Sequence, residues 1–145
     1  HYELLRQGKQ SVRIPVIASG NIFSPQLAKH MLDETGCDGL LIARGALGNP
    51  WIFKQTLEFL NKGGAPQQPS VEERVAVMTE HLRRSIDFYG EKIGVMRFRK
   101  FYAWYTKGIA GVRTLRQQSS YAKTEEAMST LIQALVTLHR QSLFV

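Results

Sequence analysis

Two short apolar runs, each ending in a glycine-bearing turn and separated by a single helix-length stretch, constrain this chain more than anything else in it. Ile14-Pro15-Val16-Ile17-Ala18 leads into Ser19-Gly20-Asn21, and Asp38-Gly39-Leu40-Leu41-Ile42-Ala43 leads into Arg44-Gly45-Ala46-Leu47-Gly48-Asn49-Pro50. Continuous aliphatic runs of this length predict strands buried on both faces, and Pro15 suits a strand start. Between them, Ser24-Pro25 offers an N-cap with proline in the first turn, Leu27, Met31 and Leu32 form one apolar face, and Gly36 stops the helix. Strand, helix, strand in that order predicts two parallel strands in an α/β layer.

Asn49-Pro50 repeats the cap-and-proline pattern and predicts a helix carrying Trp51, Ile52, Phe53, Leu57 and Leu60 up to Gly63-Gly64. Beyond a linker over residues 63–70 the hydrophobic period changes for good. Ser70 and Glu73 make a capping box, and Val71, Val75, Met78, Leu82, Ile86 and Tyr89 recur every three or four residues. Gly90 and Gly94 predict a break, a basic and aromatic helix follows from about Val95 to Lys107, and Gly108 to Gly111 predict a second break. Thr124 caps a last helix with Met128, Leu131, Leu135 and Leu138 on its apolar face. The expected organisation is α/β plus all-α: an α/β piece over 1–62, the linker, and a helical domain over 71–145.

At 145 residues the chain is too short for a whole TIM barrel, which takes roughly 250. An apolar fraction of 43% with 21% charged residues is that of a folding globular chain. No run approaches the ~18 apolar residues that cross a bilayer, so no membrane partner is expected and a cytoplasmic location is the default. A lone cysteine, Cys37, excludes an internal disulfide and a multi-thiolate zinc site, and His1, His30, His81 and His139 are too scattered to promise a metal centre. The chain opens at His1 in mid-pattern without an initiator methionine, and is expected to begin inside a longer protein.

The two glycine turns are the first candidate site. Glycine lets backbone approach a ligand closely, and free N–H groups at a helix start point at phosphate. In TIM barrels the loops after the seventh and eighth strands often build such a site, and Gly20 and Gly45 with Arg44 fit that place. The same spacing also fits two ordinary βα loops of an open sheet, since neither turn is a P-loop or a GxGxxG fingerprint.

The second candidate lies in the basic half. Residues 1–70 hold seven Lys/Arg against five Asp/Glu, net +2, and residues 71–145 hold twelve against seven, net +5. Residues 92–123 carry eight Lys/Arg and no acid, interleaved with Phe98, Phe101, Tyr102, Trp104, Tyr105 and Tyr121. Cations release counterions from a phosphate backbone and rings stack on unpaired bases, so this stretch points to nucleic acid. Most of its rings read as helical core, Phe101 and Tyr105 being four apart on one face, so the charges alone carry the binding case. Cys37 reads as a buried structural thiol, His30 and His81 as helix residues, and Asp33-Glu34 as a solvated helix end, so no catalytic residue is assigned.

The residues Ile14 to Ile22, Gly36-Cys37-Asp38-Gly39 and Ala43-Arg44-Gly45-Ala46-x-Gly48-x-Pro50-Trp51-Ile52-Phe53 closely resemble tRNA-dihydrouridine synthases, best the B-like bacterial branch. Asp87-Phe88-Tyr89-Gly90, Arg99-Lys100 and Trp104-Tyr105 extend the likeness into the helical half, so that it covers about residues 12 to 140. The resemblance implies the last two βα units of an FMN-binding TIM barrel followed by a helical bundle domain that grips tRNA. It implies reduction of a tRNA uridine to 5,6-dihydrouridine with FMN and with NADPH as reductant. The family's Asn-Gly-Asp phosphate stretch falls on Ser19, Gly20 and Asn21, and its Gly-Arg falls on Ala43 and Arg44; three of the five positions depart. RNA contacts are expected from Arg97, Arg99, Lys100, Lys107, Arg113 and Arg116.

In that family a cysteine on an upstream loop protonates C5 of a flipped-out uracil while hydride reaches C6, with a lysine and a glutamine assisting. None has a counterpart here, and Cys37 lies at another place in the pattern, so the fragment alone is expected to be inactive. Unpaired strand edges are expected to make it self-associate. Competing readings are another FMN-dependent barrel oxidoreductase acting on a small molecule, disfavoured by the acid-free basic segment, and a non-enzymatic RNA-binding module, which flavin retention would exclude.

Overall fold

A computed structural model describes residues 2–142, and its chain divides into two compact units, one up to Gln68 and one from Pro69. The first unit runs α1 (Tyr2–Ser11), β1 (Ile17–Ser19), α2 (Pro25–Thr35), β2 (Gly39–Leu41), a 3-10 turn (Arg44–Ala46) and α3 (Ile52–Lys62). The strands pair in parallel with Ile17 opposite Gly39, Ala18 opposite Leu40 and Ser19 opposite Leu41. Local chemistry explains α2: the Ser24 hydroxyl accepts from the Leu27 amide at 3.2 Å, Pro25 opens the first turn, and Gly36 closes it in the left-handed region at φ 65°.

Asp38 sets the register of the sheet. Its carboxylate accepts the Val16 amide at 2.7 Å while its own amide donates to the Val16 carbonyl at 2.9 Å. Lys9 of α1 reaches the same carboxylate at 2.7 Å, and the lysine bond together with the Val16 amide holds the Asp38 pKa below its usual value. Arg6 ties α1 to the end of α2, donating to the Glu34 carbonyl at 2.6 Å and to its carboxylate at 2.9 Å. Helix α1 has no counterpart in the sequence reading, because its amphipathic face is short and lacks a cap signal.

Three expectations for this unit need correction. The strands are three residues each and are not buried on both faces: Ala18 is fully buried, but Ile17 is 58% and Leu41 53% exposed. Side chains alternate along a strand, so Ile17 and Ser19 point to the face opposite Ala18, and that face is exposed. The helix expected to open at Asn49-Pro50 begins at Ile52, because Asn49 and Pro50 form a turn in which the Asn49 carbonyl accepts from the Ile52 amide. Finally, α3 buries Ile52, Gln55 and Thr56 and leaves Phe53, Leu57 and Leu60 exposed, so its apolar stripe is not the face it presents to α2.

The linker is not free chain. Gln67 accepts the Gln55 side-chain amide at 2.6 Å, which ties it back to α3.

The second unit is helical: α4 (Val71–Tyr89), α5 (Glu91–Tyr105), α6 (Arg113–Ser119) and α7 (Glu125–Ser142). Ser70 and Glu73 close the reciprocal capping box at 3.0 and 2.7 Å, and Thr124 accepts from the Ala127 amide at 3.2 Å to start α7. Met78, Leu82, Phe98, Tyr102, Met128, Ile132 and Leu135 are fully buried between these helices, each contributing about 1.5–3 kcal/mol by leaving water.

The break expected between Gly90 and Gly94 falls at Gly90 alone, whose φ of 76° separates α4 from α5. Residues 91–94 are not a break but the first turn of α5, and Gly94 lies within it. A Cβ at Gly94 would come to 2.8 Å from the Ile86 N and Cα and the Ser85 carbonyl oxygen, so its missing side chain permits a close crossing of α4 and α5. Ser85 then donates to the Gly94 carbonyl at 3.1 Å across that crossing. Helix α6 was not anticipated. It is only seven residues long and has no side-chain cap.

Candidate functional site

In the first unit the parallel register brings the segments following β1 and β2 side by side. Ser19, Gly20, Asn21, Ala43 and Arg44, with Phe23 and Gly45, surround one hollow of about 100 Å³. Gly20 has φ 147° and Asn21 φ 51°, a left-handed conformation that asparagine tolerates better than most residues. A Cβ on Gly45 would run into the Ile22 carbonyl, so the contact between the two loops dictates glycine at that position.

Arg44 donates to the Asn21 side-chain oxygen at 2.8 Å, and its guanidinium stands 5.9 Å from the Phe23 ring centre. Its partner is a neutral amide, and it forms no ion pair among the described residues, so its positive charge remains available to a ligand. The 3-10 turn hydrogen bonds begin at the Ala46 and Leu47 amides, which leaves the Arg44 and Gly45 N–H groups without an acceptor within the turn. Two loops held close by Gly45, an uncompensated guanidinium and backbone amides free of partners within the turn suit a phosphate group.

In the second unit the six basic candidates divide by surroundings. Arg99 and Arg116 are half-buried and hold the bundle together: Arg99 donates to the Ala122 carbonyl and Arg116 to the Thr106 hydroxyl, both at 2.9 Å. Lys107 and Arg113 are exposed. Arg97 and Lys100, also exposed, converge on one hollow between α4 and α5. Arg97 lies 4.4 Å from the centre of the Tyr89 ring, and Lys100 lies 5.7 Å from the Phe101 and Trp104 rings.

The rings of the basic segment divide in the same way. Phe98, Tyr102 and Tyr105 are buried, whereas Tyr121 is exposed. His81 packs against Phe98, Phe101 and Tyr105, and its Nδ1 lies 3.1 Å from the Tyr105 hydroxyl; burial lowers its pKa. The sequence reading missed Arg84, Phe88 and Tyr89, which border the same hollow. The signal was present in Asp87-Phe88-Tyr89-Gly90, two rings at the last turn of a helix where apolar periodicity predicts burial only for one.

Cys37 is buried, His30 packs edge-on against Tyr2 at 5.3 Å, and no cluster of three or more metal-ligating side chains occurs among the described residues. Among the same residues no helix is long and apolar enough to cross a membrane.

The family model for dihydrouridine synthase (Dus) matches residues 1–141. The chain belongs to the dihydrouridine synthase family. It is 37% identical over 142 residues to the tRNA-dihydrouridine synthase B of Pseudomonas putida, covering 98% of this chain and 42% of that protein. It is 44% identical over 104 residues to the tRNA-dihydrouridine synthase B of Shewanella oneidensis, covering 72% of this chain and 32% of that protein. A probable tRNA-dihydrouridine synthase of Rickettsia conorii is 40% identical over 108 residues, covering 74% and 33%. The family chain described here thus spans between a third and about two-fifths of the curated relatives it matches, and its likeness is to the B-type synthases.

Proposed function

We propose that this chain is the part of a flavin-dependent tRNA-dihydrouridine synthase that holds the FMN phosphate and grips tRNA. The whole protein, on this reading, is a TIM barrel with a helical domain that reduces a tRNA uridine to 5,6-dihydrouridine in the cytoplasm, with NADPH as the electron source. The observation that carries the cofactor half is the Arg44 to Asn21 bond, which joins the two glycine loops at the carboxyl ends of parallel strands around an uncompensated cation. Ligands of α/β and barrel folds bind at that end of the strands.

Bound there, the flavin supplies the hydride for uracil reduction. The chain's own residues bind and orient: the Arg44 guanidinium and the Arg44 and Gly45 amides meet the phosphate, while Gly45 lets the two loops close on each other and Gly20 gives the first loop its positive φ. In the second unit Arg97, Lys100, Lys107 and Arg113 attract the RNA backbone, while Arg99 and Arg116 maintain the bundle that presents them. Proton transfer to the reduced base belongs to residues outside this chain, so the chain by itself is inactive.

Titration of tRNA lacking dihydrouridine into the chain at several salt concentrations, with duplex DNA of equal length as control, tests the tRNA half. Binding that prefers tRNA and weakens steeply with salt is the expected result. Equal affinity for DNA, or no binding by the folded chain, overturns it.

A further inference from the structure

The hollow between the end of α4 and the middle of α5 has a construction that a general phosphate grip does not need. Phe88 is 80% exposed, extreme for a phenylalanine in a folded helix, and Tyr89 beside it is 41% exposed. The two rings stand edge to face, 4.7 Å apart and 78° inclined, with the Arg97 guanidinium over Tyr89. The hollow they border measures about 450 Å³, within the size range of small-ligand sites.

The electrostatics match the rings. The two acids nearest in the helix are occupied: Glu80 accepts from Arg83 and Arg84, and Asp87 accepts from Arg83 at 2.6 Å. Arg97 and Lys100 have no carboxylate partner among the described residues, so the rim is positive. Aromatic rings and a guanidinium stack on bases of any identity, provided the base is not already stacked in a duplex.

We propose that Phe88, Tyr89 and Arg97 seat one unpaired nucleobase of an RNA strand, with Lys100 against a neighbouring phosphate. This rests on the reading that the second unit binds tRNA, and it adds that the unit recognises an unstacked nucleotide in addition to the backbone charge.

The test measures binding of three probes to the 145-residue chain: a single-stranded oligoribonucleotide carrying one fluorescent purine, the same strand annealed to its complement, and unmodified tRNA. With the native chain the single strand binds and its fluorescence is quenched by stacking. Phe88→Ala, which removes an exposed ring and leaves the circular dichroism spectrum unchanged, lowers single-strand affinity about ten-fold, removes the quenching, and changes duplex affinity less than about two-fold. Phe88→Trp restores affinity and quenching together.

Unchanged single-strand affinity and quenching in Phe88→Ala, with tRNA still bound in a salt-dependent way, overturns the seat and leaves the tRNA reading intact. An equal loss for duplex and single strand also overturns it. If the native chain binds none of the three probes, the tRNA reading falls and the seat with it.

Discussion

The Arg44 guanidinium and the Asn21 side-chain oxygen, 23 residues apart in the chain and 2.8 Å apart in space, join the loops that follow the two parallel strands. Asn21 reaches this position because its backbone is left-handed, and Arg44 because Gly45 lets the second loop approach the Ile22 carbonyl. The bond orients the guanidinium without neutralising it. Arg44→Ala should therefore cost less than about 0.5 kcal/mol of stability, as expected for an exposed residue, while weakening phosphate or FMN binding about ten-fold or more. Isothermal titration calorimetry and urea unfolding of the same variant separate the two effects.

Gly94 gives a prediction in the opposite direction from helix propensity. Alanine within an exposed helix would stabilise by up to about 1 kcal/mol over glycine. Here its Cβ would press on the Ser85 and Ile86 backbone, which has no flexible end to yield, so Gly94→Ala should destabilise by about 1–3 kcal/mol. A lowered urea midpoint with unchanged slope is the expected signature.

Tyr102 is fully buried and donates to the Leu131 carbonyl at 2.9 Å, and burial raises its pKa well above 10.0. Its folded pKa lies above the unfolded one, so its contribution is complete below about pH 10 and is lost as pH rises further. Tyr102→Phe should cost about 1 kcal/mol at neutral pH and reduce the alkaline loss of stability, which a series of thermal melts from pH 7 to about 11 would detect.

On the acid side, hydrogen bonds from Arg83 and then Arg84 hold Glu80 down to a pKa of about 2 from 4.5. Its folded pKa is depressed, so its contribution is present above about pH 4.5 and is lost as pH falls towards 2. These groups are exposed and screened by salt, so the slope should be shallow and flatter still at high ionic strength. Glu80→Gln should remove that slope from the acid denaturation curve.

The sheet has only two short strands, and Ile14, Ile17 and Leu41 expose apolar surface on and beside it. Unpaired edges with apolar flanks associate, so the chain should run larger than a monomer by light scattering, and Ile17→Lys should shift it towards monomer. A strictly monomeric native chain would contradict this.

The parts of the fold legible in the sequence are those with local causes. Ser24-Pro25, the Ser70 and Glu73 pair and Thr124 each satisfy backbone donors within one turn, and all three start helices where the sequence places them. The neighbourhood of Ser19 to Asn21 and Ala43-Arg44 was legible for a similar reason: parallel pairing of two strands lays the loops that follow them side by side. Phe88 and Tyr89 were not, because periodicity treats a ring as core unless it is known which face the neighbouring helix covers.

From the sequence alone follow the order of elements, the parallel strand–helix–strand unit, the change to an all-helical second half, and the concentration of positive charge there. Only tertiary structure decided that Gly94 continues a helix it was expected to break, that Phe53, Leu57 and Leu60 lie on an exposed face of α3, and that Arg99 and Arg116 hold helices while Arg97 and Lys100 remain free to meet a ligand. The division has one physical source. Capping and periodicity act within a few residues of the chain, whereas burial and hydrogen-bond partnership depend on groups distant in sequence that only packing brings within reach.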